Sequence, residues 1–415
     1  MKSWLVVLSA ALFFFYEFIQ MNMFNAIDPS LMKAFLVTAT QLGNLSATYF
    51  YGNVLFLFVT GIFLDRFSTR KVILTAMCVC VTCTYLFALS HTLLQAQICR
   101  FITGIASTTC MLSCVRLASR WFPTNKIALV IGLVVTFAMM GGVVAQTPMT
   151  FITNALGWRN AVMINATLGL VFAVIIFKNV QDYPENSLEI NHHEKAHLKE
   201  MGFLPSIKMA IKNKQNWLAG LYTNFLSFPI VILGAAWGGL YLMHVHQLSH
   251  NESSYVTSMI FIGTILGSPF MGWLSDHLEA RKKLMIIGAI FTLILILLIM
   301  LLPNLSLKAL LILFFLLGFM ASTQVISYPL VVESNPRCIT STAEGLTCTL
   351  IMTAGLFQLV YGWLVDLTWN GQMQAGVRSY TAHNFQLAMW MFPLVFLIAL
   401  VMSFFIRETK HERYL

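Results

Sequence analysis

Charge is what this chain has least of. Asp, Glu, Lys and Arg together make up 10% of its 415 residues, while 58% are hydrophobic. A soluble domain draws roughly a quarter of its residues from those four types. So little charge cannot coat a water-exposed surface of this length, which excludes a soluble enzyme or binding module. The mean hydropathy of +0.77 fits burial in lipid. A helix needs about 20 apolar residues to cross a hydrocarbon core about 30 Å thick, so the chain has room for ten to thirteen crossings.

Other absences narrow the class. No P-loop is present, which argues against ATP-driven pumping. The eight cysteines (Cys78, Cys80, Cys83, Cys99, Cys110, Cys114, Cys338 and Cys348) lie in or beside apolar runs. Cys80 and Cys83 form a CxxC with no second pair and no nearby histidines, so they read as buried thiols rather than a metal or redox site. The net charge of +9 is spread in short clusters between apolar runs, with no basic groove that would suit nucleic acid. No cofactor is expected. The expected partners are a small-molecule substrate, protons and the lipid bilayer, with the chain acting as a monomer.

What is present is a series of apolar segments. They run approximately over 4–27, 40–64, 72–90, 92–115, 127–152 and 159–178, then 216–243, 255–275, 284–302, 308–332, 343–368 and 383–406. That predicts an all-α integral membrane protein of twelve spanning helices in two pseudo-symmetric six-helix bundles. The expected divisions are 1–178, a cytoplasmic linker 179–215 and 216–415. If both termini are cytoplasmic, 20 of the 25 basic residues fall in inner segments and 4 in outer ones, with Arg100 alone inside the membrane. That split is the positive-inside pattern. Short termini and the lack of long outer loops point to a bacterial inner membrane. His244 and His246, at the outer end of the seventh segment, are expected to be solvated.

Two loops repeat each other. Gly61–Lys71 reads G-I-F-L-D-R-F-S-T-R-K, and Gly272–Lys282 reads G-W-L-S-D-H-L-E-A-R-K, 211 residues later. Such an offset marks duplicated architecture, and transporters are commonly built from repeats with the substrate site between them. Here the chain resembles the major facilitator superfamily, whose loop between helices 2 and 3 reads G-x-x-x-D-R-x-x-x-R-K. The elements Arg100-Phe-Ile-Thr-Gly104, Arg120-Trp-Phe-Pro123 and Gly157-Trp158-Arg159 support the resemblance. It implies a conformational gate made of Gly61, Asp65, Arg66, Arg70, Lys71, Gly272, Asp276, Arg281, Lys282 and Glu344. Asp65 would meet the start of helix 11, where Ser341-Thr-Ala-Glu344 fits a capping box. Asp276 would meet the start of helix 5, where Thr124 or Asn125 can cap. The simpler reading is that these charges only fix topology and anchor loops.

Two charges fall inside the membrane. Glu17 lies about 20 Å into the outward-running first helix, and Arg100 about 12 Å below the outer boundary on the inward-running fourth. Inserting one such charge costs about 2.5–3.5 kcal/mol, so each normally faces a partner or a wet cavity. In the resembling fold helices 1 and 4 are neighbours, so a Glu17–Arg100 pair is expected, direct or through water or substrate. An anionic group competing for Arg100 would favour protonation of Glu17, which gives a route to proton coupling. The alternative is an ion pair that merely locks two helices. Candidate substrate contacts are Tyr16, Gln20, Tyr51, Asn53, Arg100, Gln146, Asn224, Trp237, Gln324, Tyr328 and Gln358.

The leading expectation is a secondary transporter that imports a small polar organic solute with protons. An amino acid, a nucleoside and an organic acid remain open as substrates. The stretch Leu45–Asp65 also resembles the bacterial phagosomal-transporter group, which imports amino acids or nucleosides. The G-P-x-x-G-G run of drug antiporters is absent from helix 5. Export of drugs, siderophores or metabolites is the alternative direction, and a transporter-like solute sensor is the alternative class.

Overall fold

The computed structural model describes residues 2–122, 124–184, 203–278, 280–302, 304–335, 340–374 and 377–408, with the side chains of a few helical residues outside the description. Almost all of this is helix. Eleven helices among the described residues are long and apolar enough to cross a bilayer. The 28-residue helix Ala39–Arg66 makes the twelfth by length.

In chain order the spanning helices are α1 (Lys2–Asn22), α2 (Ala39–Arg66), α3 (Thr69–Ala88), α4 (Leu93–Ser107 continuing as Thr109–Trp121), α5 (Thr124–Leu156) and α6 (Trp158–Asn179). The second half repeats the plan. Its helices are α7 (Lys214–Leu226, Pro229–Trp237 and Gly238–Val245), α8 (His250–Leu278), α9 (Arg281–Leu301), α10 (Leu307–Ala321, Ser322–Ile326 and Ser327–Glu333), α11 (Thr340–Met352, Thr353–Leu356 and Phe357–Leu367) and α12 (Ala382–Met389 and Met391–Phe405). A two-residue hairpin, Met373–Gln374 with Val377–Arg378, lies between α11 and α12. Local sequence sets several starts. Ser68 caps α3, Ser306 caps α10, and Thr92 with Gln95 forms a reciprocal capping box on α4.

The duplication is visible in packing as well as sequence. A Cβ on Gly52 or Gly104 would overlap backbone across the α2–α4 crossing, and one on Gly263 or Gly318 would do so across α8–α10. Close crossings of this kind need a residue without a side chain. Gly52 and Gly263 are separated by the same 211 residues as the two loops.

Burial separates central from lipid-facing helices. The α7 span is 94% buried, whereas α6 is 33% buried. On α6 the exposed apolar residues Leu170, Val171, Val174 and Phe177 fall at helical spacing, as do Ile287, Ile290, Phe291 and Ile294 on α9. Those stripes face the bilayer.

Two boundaries differ from the sequence expectation. The first apolar run, expected to reach residue 27, stops at Asn22, and a separate helix, Phe24–Phe35, follows after Met23. Side chains from elsewhere take the carbonyls at the end of α1, so the helix can end inside the protein. In α7, Pro229 has no N–H to donate. The next turns adopt π-helical spacing, with Gly238 N–H reaching Leu233 O.

The face carrying the start of α1 and the end of α12 is the terminal face; the opposite one is the far face. Every hydrogen bond described between the two halves lies toward the far face. Asn25 Nδ2 donates to Leu233 O (2.6 Å) and Gly234 O (2.5 Å), and Gly239 N–H donates to Asn25 Oδ1 (3.0 Å). Thr147 meets Ser258 (2.9 Å), and Asn154 donates to Asn251 (2.8 Å). Asp366 on α11 caps the start of α2, accepting from Thr40 N–H at 2.6 Å and from the Thr40 hydroxyl. Tyr380 and Arg378 hold that carboxylate in place, at 2.5 and 3.2 Å. A carboxylate suits the positive end of a helix. The far face is closed.

Candidate functional site

The last carbonyls of a helix have no partner inside it. At the end of α1, Arg100 Nη1 donates to Gln20 O at 2.8 Å and Gln146 Nε2 donates to Asn22 O at 2.9 Å. The guanidinium is therefore held against the negative end of a helix dipole. Its carbon also lies 4.8 Å from the ring centroids of both Phe24 and Tyr49. Cation–π contacts of this type hold a cation without using its N–H groups. Arg100 is 2% exposed, and its Nε and Nη2 have no hydrogen-bond partner in the protein.

Glu17 sits one turn before Gln20 on α1. It is 5% exposed, and its Oε2 has no hydrogen-bond partner. No direct ion pair joins it to Arg100, although the two lie close enough to feel each other's charge. Cys80 and Cys110 share that neighbourhood. Gln20 Nε2 and Tyr49 Oη are likewise buried without partners. Most buried polar atoms in proteins are hydrogen-bonded, so this grouping of one acid, one guanidinium, an amide and a phenol stands apart. Its arrangement suits an anion at the free edge of Arg100, with Glu17 as a nearby proton acceptor.

The other expected contacts are spread more widely. The Tyr16 hydroxyl bonds Thr84 Oγ1 (3.2 Å) inside the first half. Tyr51 bonds Asn44 on its own helix (3.0 Å), and Asn53 donates to Ser107 (2.8 Å). Gln146 is fully engaged in the far-face seam: it donates to Gly234 O (2.6 Å) and accepts from Thr257 (2.9 Å) and Asn25 (3.3 Å). Gln358 donates to Val231 O in the π stretch of α7 (2.6 Å), leaving its Oε1 unpartnered. Gln146 and Gln358 thus do the same work in the two halves, each taking a carbonyl of the first helix of its own half. Asn224 donates to Leu350 O (2.6 Å) and Thr353 Oγ1 (2.8 Å), where α11 changes pitch. Trp237 donates to Gln358 O (3.1 Å) and packs on Tyr361. Gln324 is buried at the pitch change of α10, and Tyr328 is exposed.

Among the expected gate residues, Arg70 Nη2 donates to Phe177 O (2.6 Å) at the end of α6, and its backbone N–H donates to Asp182 (2.7 Å). Lys282 repeats this on α12, with its Nζ on Phe404 O (2.7 Å) and its N–H on Glu408 (3.2 Å). Arg281 pairs with Glu333 at 3.0 Å, and Lys71 N–H is capped by Ser68. Gly272 has open space around it. Gly61 and the side chains of Asp65, Arg66, Asp276 and Glu344 lie outside the described residues, as do the caps Thr124, Asn125 and Ser341.

His244 and His246 are half-buried rather than solvated: His244 stacks on Phe385, and His246 packs edge-on against Tyr241. Among the described residues no group of three or more His, Cys, Asp or Glu side chains is placed to hold a metal.

A family description matches the chain over residues 8–332 and 225–414: the Major Facilitator Superfamily. The chain belongs to that superfamily. The hexuronate transporter of Bacillus subtilis is 25% identical over 260 residues, 61% of this chain and 60% of that protein. A probable hexose phosphate transport protein of Chlamydia muridarum is 22% identical over 311 residues, 68% of this chain and 66% of that one. The match thus spans about three-fifths to two-thirds of the length of these relatives. Among solved structures, a D-xylose–proton symporter superposes with a TM-score of 0.77 at 16% identity, covering 99% of both chains. This facilitator fold accounts for the twelve helices and the paired halves.

Sequence reasoning missed two participants. Asp28 directly follows the apolar run 4–27, yet it is 1% exposed with both carboxylate oxygens unpartnered. Asp366 caps a helix of the opposite half. A clue to the first was available: Asp28 and Pro29 interrupt an apolar run where the helix breaks.

Proposed function

We propose that the chain is a secondary transporter that moves a small organic anion by alternating access, with Arg100 holding the anionic group and Glu17 carrying a coupled proton. The observation that carries this reading is the state of Arg100: buried, fixed by Gln20 O and two rings, with two donor nitrogens left over. A guanidinium held this way is prepared to bind a carboxylate or phosphate by two parallel hydrogen bonds. The relatives named for hexuronate and hexose phosphate favour an anion over an amino acid or a nucleoside. The rocking units are 1–178 and 216–415, joined by 179–215. With both termini in the cytoplasm of a bacterial inner membrane, the closed far face makes this the inward-facing state. The working form is a monomer.

Uptake into proteoliposomes tests the reading. The panel comprises sugar acids, sugar phosphates, sulfonates, amino acids and nucleosides, each with and without an inward-directed pH gradient. The expected result is accumulation of an organic anion, increased by the gradient and lost in Arg100→Gln. Accumulation of a neutral solute, unaffected by Arg100→Gln, would overturn it. Glu17→Gln separates coupling from binding: gradient-driven accumulation should vanish while exchange of internal for external substrate continues.

A further inference from the structure

The Glu17–Arg100 mechanism leaves one buried acid unused. Asp28 lies on the helix Phe24–Phe35, three residues after Asn25 and four after Phe24. Residues at those spacings share a helix face. Asn25 is one of the residues that bond the two halves together at the far face, and Phe24 is one of the rings covering Arg100. Asp28 therefore lies one turn along this helix from Phe24 and Asn25, on the side that faces the seam.

Its surroundings offer nothing to an ionised carboxylate. Asp28 is 1% exposed, and neither oxygen has a hydrogen-bond partner. Its helix packs on α5, α7 and α2, and more lightly on α6 and α8. Among the described residues no titratable group on those elements bonds Asp28; Tyr49 Oη on α2 and His246 Nε2 beyond the end of α7 are themselves without partners. His250 contacts Asn25 O and Asn154, and Glu252 accepts from Ser249. His244 contacts Leu240 O, Tyr241 packs on His246, and Arg159 donates to Ala88 O. Lys33, on the same helix, is exposed. Burying a bare carboxylate is costly enough that such a group takes up a proton instead. Opening the seam would bring water to Asp28 and remove that cost.

We propose that Asp28 is a second proton-carrying carboxylate, neutral while the far face is sealed and ionised when it opens, so that closing this side requires a proton. The step is a simple transfer: on opening, the Asp28 O–H bond breaks and the proton passes to water on the far side, leaving the carboxylate. On closing, a proton from the same side returns. This rests on the alternating-access reading above and adds a proton site to it. A thermodynamic consequence follows, since protons bound only in the closed state must favour that state.

The test reads the seam directly and needs no substrate. Hydrogen exchange of purified protein in nanodiscs, corrected for the intrinsic pH effect, is followed over peptides spanning 23–36 and 233–246. Wild type should show exchange rising as pH rises, and Asp28→Asn should lose that rise and stay protected. Glu17→Gln should keep it. Infrared spectroscopy of the same samples at neutral pH should show a protonated-carboxyl C=O band that Asp28→Asn removes. Unchanged pH-dependent exchange in Asp28→Asn, or no difference in the carboxyl band, would overturn the proposal. If Asp28→Asn fails to fold, the infrared titration of wild type decides: loss of a protonated-carboxyl band in step with seam exchange supports the idea, and its absence sinks it. Failure of the transport panel would leave these readouts intact, so the two readings fail separately.

Discussion

The two halves share a plan but divide the labour. The first half buries the unpaired charges: Glu17 on α1, Arg100 on α4 and Asp28 on the short helix that follows α1 all lie within it. Among the described residues, the second half buries no acid or guanidinium without a partner, because Arg281 is paired with Glu333 and Asp366 with Arg378. What the second half has instead is changes of helical pitch. α7, α10 and α11 each leave α-helical pitch, at Pro229–Trp237, Ser322–Ile326 and Thr353–Leu356. Such departures mark hinges and functional sites more often than ordinary helix. The contrast teaches that one half is built to hold charge and the other to bend.

The strongest way to break this contrast is to remove the charge. Arg100→Gln should lower substrate uptake by about a hundredfold, since truncating one side of a buried charged contact costs about 2–5 kcal/mol. The same change in the second half has no equivalent. Arg281→Gln, which removes the Arg281–Glu333 ion pair, should lower thermal stability while leaving substrate affinity in a binding assay unchanged. Equal loss of affinity in both variants would end the division between the halves.

Packing should show the opposite result, a symmetrical one. A Cβ at Gly104 meets the Tyr49 backbone, and one at Gly318 meets the Ile260 backbone. Gly104→Ala and Gly318→Ala should each destabilise by about 1–3 kcal/mol, read as thermal unfolding in detergent. Gly132→Ala, which has nothing within 4 Å, should stay within about 0.5 kcal/mol of wild type. If one crossing tolerates the added methyl and the other does not, the halves differ in structure as well as chemistry.

The far-face seam gives a finer comparison. Gln146 bonds across the halves to Gly234 O and Thr257, whereas Gln358 bonds within its own half to Val231 O. Each hydrogen bond contributes about 0.5–1.5 kcal/mol. Gln146→Ala should therefore open the seam several-fold more often, seen as faster hydrogen exchange at 233–246. Gln358→Ala should loosen α7 without favouring either face.

How much of this was legible before the structure follows from the kind of interaction involved. The spans, the repeat and the rarity of Glu17 and Arg100 are properties of local composition, and lipid imposes them strongly. The partners of Arg100 are not local. Gln20 offers a backbone carbonyl, and Phe24 and Tyr49 offer ring faces, none of which is distinctive in a chain with 33 phenylalanines and 12 tyrosines. The break at Met23 depends on Gln146, 123 residues later, and the cap on Thr40 depends on Asp366, 326 residues later. The burial of Asp28 is hidden in the sequence for a related reason. Hydropathy ends the first span near it, but the helix that carries it packs between α5 and α7.

The smallest effect expected is also the one that isolates bending. Pro229 removes one backbone donor at the start of the π stretch, and the following carbonyls of Val231, Leu233 and Gly234 are then met by side chains. Pro229→Ala restores the missing N–H, and so favours continuous α-helix through the point where α7 now changes pitch. It touches neither Arg100 nor Glu17. If bending of the second half accompanies turnover, Pro229→Ala should slow uptake about threefold, equivalent to roughly 0.7 kcal/mol on the barrier, with KM unchanged. If the second half moves as a rigid body, the rate should match wild type. A raised KM would instead place this stretch of α7 against the substrate, and the separation of charge from motion would fail at its most buried helix.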